Sequence, residues 1–336
     1  MMSSPNLKIV DNEKYALAAY KADIASRFQH HFFSPNIWIE TKNPVEFDQH
    51  WREWMGSIRT EHFEESNFLV FAKKASDTSN LLDQESESLK NTVINFHFGL
   101  LLAGRLHCYE KPLLITGGKD RDELSIRQLQ EIETPIQFSA ISWDTIDLPF
   151  LERAFTISKC IAKVWDGSSR FKRLRRILNI YFTARMTPDI LDRLHQYARC
   201  IEGLILPNAG DTTRQFKSRT ELFIGPRHHS LMKEIYEARN AIEHLNDHLN
   251  VSSKTREDRA QIYKWAHIAE HVARCCLTKI AISDTLRHVY ESDDTLRSFW
   301  LKDLNERQAI WGEPINPLEA ISSFEIRNLS NAELGL

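Results

Sequence analysis

No stretch of this 336-residue chain is apolar for long enough to cross a bilayer, and its opening residues, MMSSPNLKIVDNEKY, lack the hydrophobic core of a secretory signal. A cytoplasmic location is the expectation. Cysteine is scarce: Cys108, Cys160, Cys200, Cys275 and Cys276 are odd in number and show no metal-ligand spacing, and the adjacent pair would point to different faces of a helix. They read as reduced core residues, which excludes a disulfide framework. Neither sign of charge dominates, with 43 Lys and Arg against 46 Asp and Glu and a formal net charge of −3. A polyanion would therefore have to be met by a local basic patch rather than by the whole surface. Glycine, 11 residues in all, builds no Walker A loop, no Rossmann fingerprint and no Gly-x-Ser-x-Gly elbow, and Gly117-Gly118-Lys119 is too short for a phosphate loop. No cofactor is implied, and neither internal repeats nor low-complexity tracts are evident.

What is present divides the chain into a mixed α/β region over residues 1–150, an all-α bundle over 151–311 and a loosely docked tail over 312–336, an α+β protein overall. The first 35 residues read as a polar lead-in with one helical stretch, 13–30. Short β-like runs follow at 36–40 (NIWIE), 68–72 (FLVFA), 93–102 (VINFHFGLLL), 112–116 (PLLIT) and 135–141 (PIQFSAI), separated by turn material. The third of these runs reads equally well as a buried helix. Strand signals stop near Pro149, and helices are expected over 151–165, 170–186, 188–206, 212–223, 229–250, 254–290 and 294–311, with Pro188 in a first turn.

The segment LMKEIYEARNAIEHLNDHLN, within the fifth of these helices, puts a fixed cation, an amide and an imidazole into six residues, Arg239 to His244. Apolar Leu231, Ile235, Ala238, Ile242, Leu245 and Leu249 form one stripe at about 100° per residue, so Arg239 and His244 should straddle the opposite face, with Asn240 and His244 stacked as an i, i+4 pair. The chemistry this trio suits is transesterification of RNA. The ribose 2′-hydroxyl must lose a proton as it attacks phosphorus, and an imidazole with an ordinary pKa of about 6.5 exchanges protons near neutrality. Arginine supplies a forked, permanent cation for the phosphorane. Asn240 would orient the ring or hold a phosphate oxygen. The plain alternative is an ion pair of Arg239 with Glu243 or Glu234 on a solvated face, beside an ordinary surface histidine.

The pattern Arg239-Asn240-x3-His244 resembles the signature of the HEPN superfamily. Over residues 151–292 the chain looks most like the Apea-like HEPN group: two helices, the second ending in ARCIEGLILPN, a short Phe216, Arg219, Leu222 segment, then the helix bearing the motif. Those sequences often follow the histidine with glycine, whereas Leu245 and Asn246 stand here. The resemblance implies a metal-independent endoribonuclease that leaves a 2′,3′-cyclic phosphate, with Arg239, Asn240 and His244 catalytic and Glu243 and Glu202 auxiliary. It further implies a homodimer whose two motifs share a cleft, a toxin-like or antiviral defence role, and an antitoxin or regulatory protein as partner. The alternative is a non-catalytic HEPN-like module that binds RNA, a nucleotide or a protein through the same face.

Two further patterns bear on these readings. RFKRLRRILNIYFTAR clusters Arg170, Lys172, Arg173, Arg175, Arg176 and Arg185 with Phe171, Tyr181 and Phe182, which suits an RNA strand as well as it suits an amphipathic helix with its cations in solvent. His244/His248 and His267/His271 are i, i+4 pairs on consecutive helices, the spacing by which a helix face grips a transition metal, and they form a rival, metal-dependent reading.

Overall fold

The computed structural model describes residues 9–25, 29–121, 123–136, 142–166, 169–244 and 255–330. The chain falls into two compact units, Met1–Pro135 with Trp143–Ala162, and Ile136–Ser142 with Lys163–Leu336. The first is built on six antiparallel strands, β1 (Glu13–Tyr20), β2 (His30–Ser34), β3 (Ile37–Glu40), β4 (Phe68–Ala75), β5 (Leu113–Asp120) and β6 (Glu123–Glu131), in the order β2-β3-β4-β1-β5-β6. One face of the sheet packs Tyr15, Leu17, Trp38, Leu69, Phe71 and Ile115 against Phe47, Met55 and Phe63 of the segment carrying α1 (Gln49–Met55) and α2 (Ser57–Glu64). Helix α3 (Gln84–Ala103), capped by Asp83 accepting from the Ser86 amide, covers the other face with Val93, Phe96 and Leu100.

Sequence expectations are corrected here at several points. Of the helix expected over 13–30, Glu13–Tyr20 is strand β1 and His30 opens β2, while residues 26–28 lie outside the described set; β1 is hydrogen-bonded on both sides and buried on both faces, so that its Ala-rich sequence is a matter of close packing rather than of helix propensity. The run 93–102 belongs to α3, the helical alternative. Of 135–141, residues 137–141 lie outside the described set and Pro135 and Ile136 are not in a strand. The helix α4 (Leu148–Asp166) counts through Ala162 with the first unit, so the change of unit falls later than Pro149. At Gly99 an added Cβ would collide with the Ala154 carbonyl, so α3 and α4 meet backbone to backbone.

The second unit is helical: α5 (Lys172–Met186), α6 (Ile190–Ile205), α7 (Thr212–Ile224), α8 (His229–Glu243), α9 (Arg256–Ile282), α10 (Asp284–Val289), α11 (Asp293–Leu301) and α12 (Leu304–Trp311). Helix α6 starts at Asp189, which accepts from the Asp192 amide, and it packs on α5, α8 and α9. The single long helix expected over 254–290 is divided at Ser283, and that over 294–311 at Lys302–Asp303, each break marked by a capping side chain. Residues 312–330 do not hang loosely: Pro317, Ala320 and Leu329 are buried, Lys279 Nζ donates to the Glu313 carbonyl at 2.6 Å, and the Ile315 amide donates to Phe223 O at 2.7 Å. No described helix is long and apolar enough to cross a membrane.

Candidate functional site

Helix α8 buries Met232, Ile235, Tyr236, Ala238 and Ala241, while Leu231 and Ile242 are only half-buried. The buried face is thus rotated from the stripe expected in the sequence, and Arg239, seven residues after Met232, falls in line with it. The Arg239 side chain is 16% exposed and reaches inward rather than out from the opposite face. Its Nη2 lies 3.3 Å from Glu202 Oε2 on α6 and 3.7 Å from Glu243 Oε2, its Nη1 donates to Asn240 Oδ1 at 3.0 Å, and the guanidinium sits 5.9 Å from the Tyr236 ring. Its Nε is buried and makes no hydrogen bond among the described residues. Glu202, named by resemblance as an auxiliary, is therefore beside the motif arginine.

The helix ends sooner than expected. His244 is its exposed C-cap, its amide donating to Asn240 O at 3.1 Å, and the continuation through residues 245–250 lies outside the described residues. Glu243 is hydrogen-bonded across to His195 Nε2 of α6. The hydrogen bond from His195, then the charge of Arg239, holds the Glu243 carboxyl below the usual carboxylate range.

Arg239, Glu202 and Glu243 border a groove of about 610 Å³ between α5, α6 and α8. Arg173, Arg176, Arg199 and Arg239 line it with Glu202 and Glu243, over an apolar floor of Ile177, Ile180 and Leu206. The approach of α5 to α6 depends on Gly203, where an added Cβ would come within 2.8 Å of Ile177 Cγ1. Arg219 of the Phe216, Arg219, Leu222 segment closes the end of α6, donating to the carbonyls of Ile205 and Leu206 at 2.8 and 2.7 Å, with Phe216 and Leu222 buried. That segment is structural: it satisfies carbonyls left over where the chain turns at Leu206.

The basic cluster of α5 separates into three groups. Lys172 and Arg176 are exposed and have no ion-pair partner among the described residues. Arg170 pairs with Glu291 at 2.6 Å, Arg173 makes a bidentate pair with Asp293 at 2.6 and 2.8 Å, and Arg175 donates to the Arg170 carbonyl. Arg185 is 4% exposed and bonded to Glu270 Oε1 at 2.9 Å, so its assignment to an RNA surface is corrected: it is a core residue. Tyr181, Phe182 and Phe171 are buried as well and offer no stacking face.

The four-histidine reading gains nothing. His248 lies outside the described residues, His271 is buried with Arg274 Nη2 at 3.3 Å from its Nδ1, and no group of three or more candidate ligands occurs among the described residues. Two groups that the sequence reading missed are His195 and Arg199. They stand seven and three residues before Glu202, so all three share one face of α6, a spacing that was legible but had no motif to draw attention to it. Compared with known protein families, with curated proteins and with solved structures, the chain matches none.

Proposed function

We propose that the helical unit is a metal-independent endoribonuclease of HEPN type, cleaving RNA by attack of the 2′-hydroxyl on the adjacent phosphorus. The observation that carries this reading is the Arg239 guanidinium, fixed by Glu202 beside a groove that four arginines line, with the exposed imidazole of His244 at the end of the same helix. In the groove a phosphodiester meets Arg176 and Arg199, whose donors are the least committed internally. Arg239 then faces the charge that develops on the phosphorane, Asn240 holds the guanidinium through its amide oxygen, and His244 carries a proton. On the same reading the working unit is a homodimer, the location cytoplasmic, and the role a toxin-like or defence one under an antitoxin or regulatory partner.

One observation favours a second reading, a non-catalytic module binding RNA, a nucleotide or a protein: the acceptors of Arg239 are all internal, and it is mostly buried. The two separate on mixed RNA in the presence of chelator. The nuclease gives fragments ending in 2′,3′-cyclic phosphate, and His244→Ala abolishes them while RNA binding and melting temperature hold. Arg239→Ala abolishes them too but also lowers stability by about 1–2 kcal/mol, since Glu202 is left without its cation. Intact RNA with binding retained selects the second reading.

A further inference from the structure

Cleavage by transesterification moves two protons, one off the 2′-oxygen and one onto the departing 5′-oxygen, whereas the motif from Arg239 to His244 supplies a single imidazole. Resting on the nuclease reading above, we propose that His195 is the general base of this reaction, with Glu243 as the residue that positions it and His244 as the acid. The three residues are neighbours: Glu243 lines the groove, His195 pairs with it from α6, and His244 follows it in the chain.

The assignment follows from the hydrogen bond. A carboxylate can only accept, and Glu243 is held ionised by His195 and Arg239, so the proton between them sits on Nε2 of His195. That fixes the tautomer and leaves the Nδ1 lone pair, which has no hydrogen-bond partner among the described residues, as the basic atom. The same division of labour holds wherever a carboxylate orients a histidine base by one ring nitrogen and leaves the other to take the proton. The side chain is 15% exposed, and Arg199 and Glu202, which line the groove, stand one and two turns further along the same face of α6. His244, exposed at its helix end, has no carboxylate partner among the described residues to orient it as a base.

The step balances without any co-reactant. Nδ1 of His195 takes the 2′-hydroxyl proton as the 2′-oxygen bonds to phosphorus. The bond from phosphorus to the 5′-oxygen breaks with its electron pair on that oxygen, which receives a proton from the imidazolium of His244. The products are a 2′,3′-cyclic phosphate and a 5′-hydroxyl.

The test compares wild type, His195→Ala, Glu243→Gln and His244→Ala on one RNA with chelator present. Loss of the base costs about 10²–10⁴-fold in cleavage rate, with RNA affinity and melting temperature nearly unchanged. Added imidazole then restores part of the activity of His195→Ala, which a merely structural ion pair would not allow, and Glu243→Gln falls between the two. Long-range nitrogen–proton NMR correlation on histidine-labelled protein reads the tautomer without any substrate: Nε2–H on His195 supports the assignment, and Nδ1–H overturns it. An active wild type with an equally active His195→Ala overturns this role alone. A wild type that leaves RNA intact overturns the nuclease reading and this role with it.

Discussion

Two arginine–glutamate constellations lie in the helical unit, and α5 contributes to both. Toward one end of that helix, Arg185 meets Glu270 at 2.9 Å, joined by Arg274 at 3.1 Å and by the Tyr181 hydroxyl at 2.7 Å, all of them buried or nearly so. Toward the other, Arg173 and Arg176 line the groove that Arg239 and Glu202 close. The first constellation is sealed and internally paired, with Arg185 Nη2 buried and without a hydrogen bond among the described residues, so its charges serve the core. The second leaves guanidinium groups facing a cavity, where an anion can still add something. Arginine content alone does not separate the two cases; the difference lies in whether water and a ligand can reach the donors. A third case marks the opposite limit. Glu40 in the sheet unit is 8% exposed, its Oε1 has no hydrogen-bond partner among the described residues, and burial pushes its carboxyl up to about 7 against a smaller lowering by Trp38.

The largest effect should come from breaking the sealed cluster. Glu270→Ala leaves Arg185 and Arg274 as uncompensated buried cations and should cost about 3–5 kcal/mol in denaturant unfolding. Burial alone would raise the Glu270 carboxyl, but Arg274 and Arg185 outweigh it and hold the value at about 2. A depressed carboxyl stabilises the fold fully above its unfolded value and loses that contribution as it is protonated. The wild type should therefore lose stability between about pH 4.5 and pH 2, and Glu270→Ala should show a flatter acid limb. An unchanged acid limb would mean that the cluster is not charged as described.

Glu40 should behave with the opposite sign. Its raised carboxyl costs nothing below the unfolded value, costs progressively more as pH rises from there to about 7 and levels off above, so Glu40→Gln should be neutral at pH 4 and stabilising by about 3 kcal/mol at pH 8. A gain of equal size at both pH values would point to packing instead of charge.

The smallest effect concerns the open groove. On the proposed RNA-binding reading, Arg176→Ala with Arg199→Ala should leave stability within about 0.5 kcal/mol and lower the slope of log RNA affinity against log salt by about one for each cation lost. Arg173→Ala should change that slope less, because Asp293 already neutralises this guanidinium. An equal slope change for Arg173 would show that its pair with Asp293 opens on binding.

Periodicity and capping made the bundle legible. The start of α6 near Pro188, the limits of α7 and the polar trio of α8 lie close to where the sequence places them, because local spacing and caps decide them. The phase of α8 was not decided that way. Both Leu231/Ile242 and Met232/Tyr236 offer apolar faces, and it is packing against its neighbours that buries Met232 and Tyr236 and turns Arg239 inward with them. Strand β1 was missed for a related reason: its Ala, Leu and Lys residues favour a helix, but pairing with β4 and β5 on both sides outweighs that preference.

The sequence by itself therefore determined the α+β division, most helix starts, and the presence of an arginine, an amide and a histidine on one short segment. Only the tertiary structure decided that Arg185 is core and Arg239 half-committed to Glu202, that Arg199 of another helix lines the same groove, and that His195 meets Glu243 at its edge. The reason is one of range. Helical spacing fixes which residues share a face, whereas the partner that face meets is set by contacts between segments tens of residues apart, and a charge takes its role from that partner.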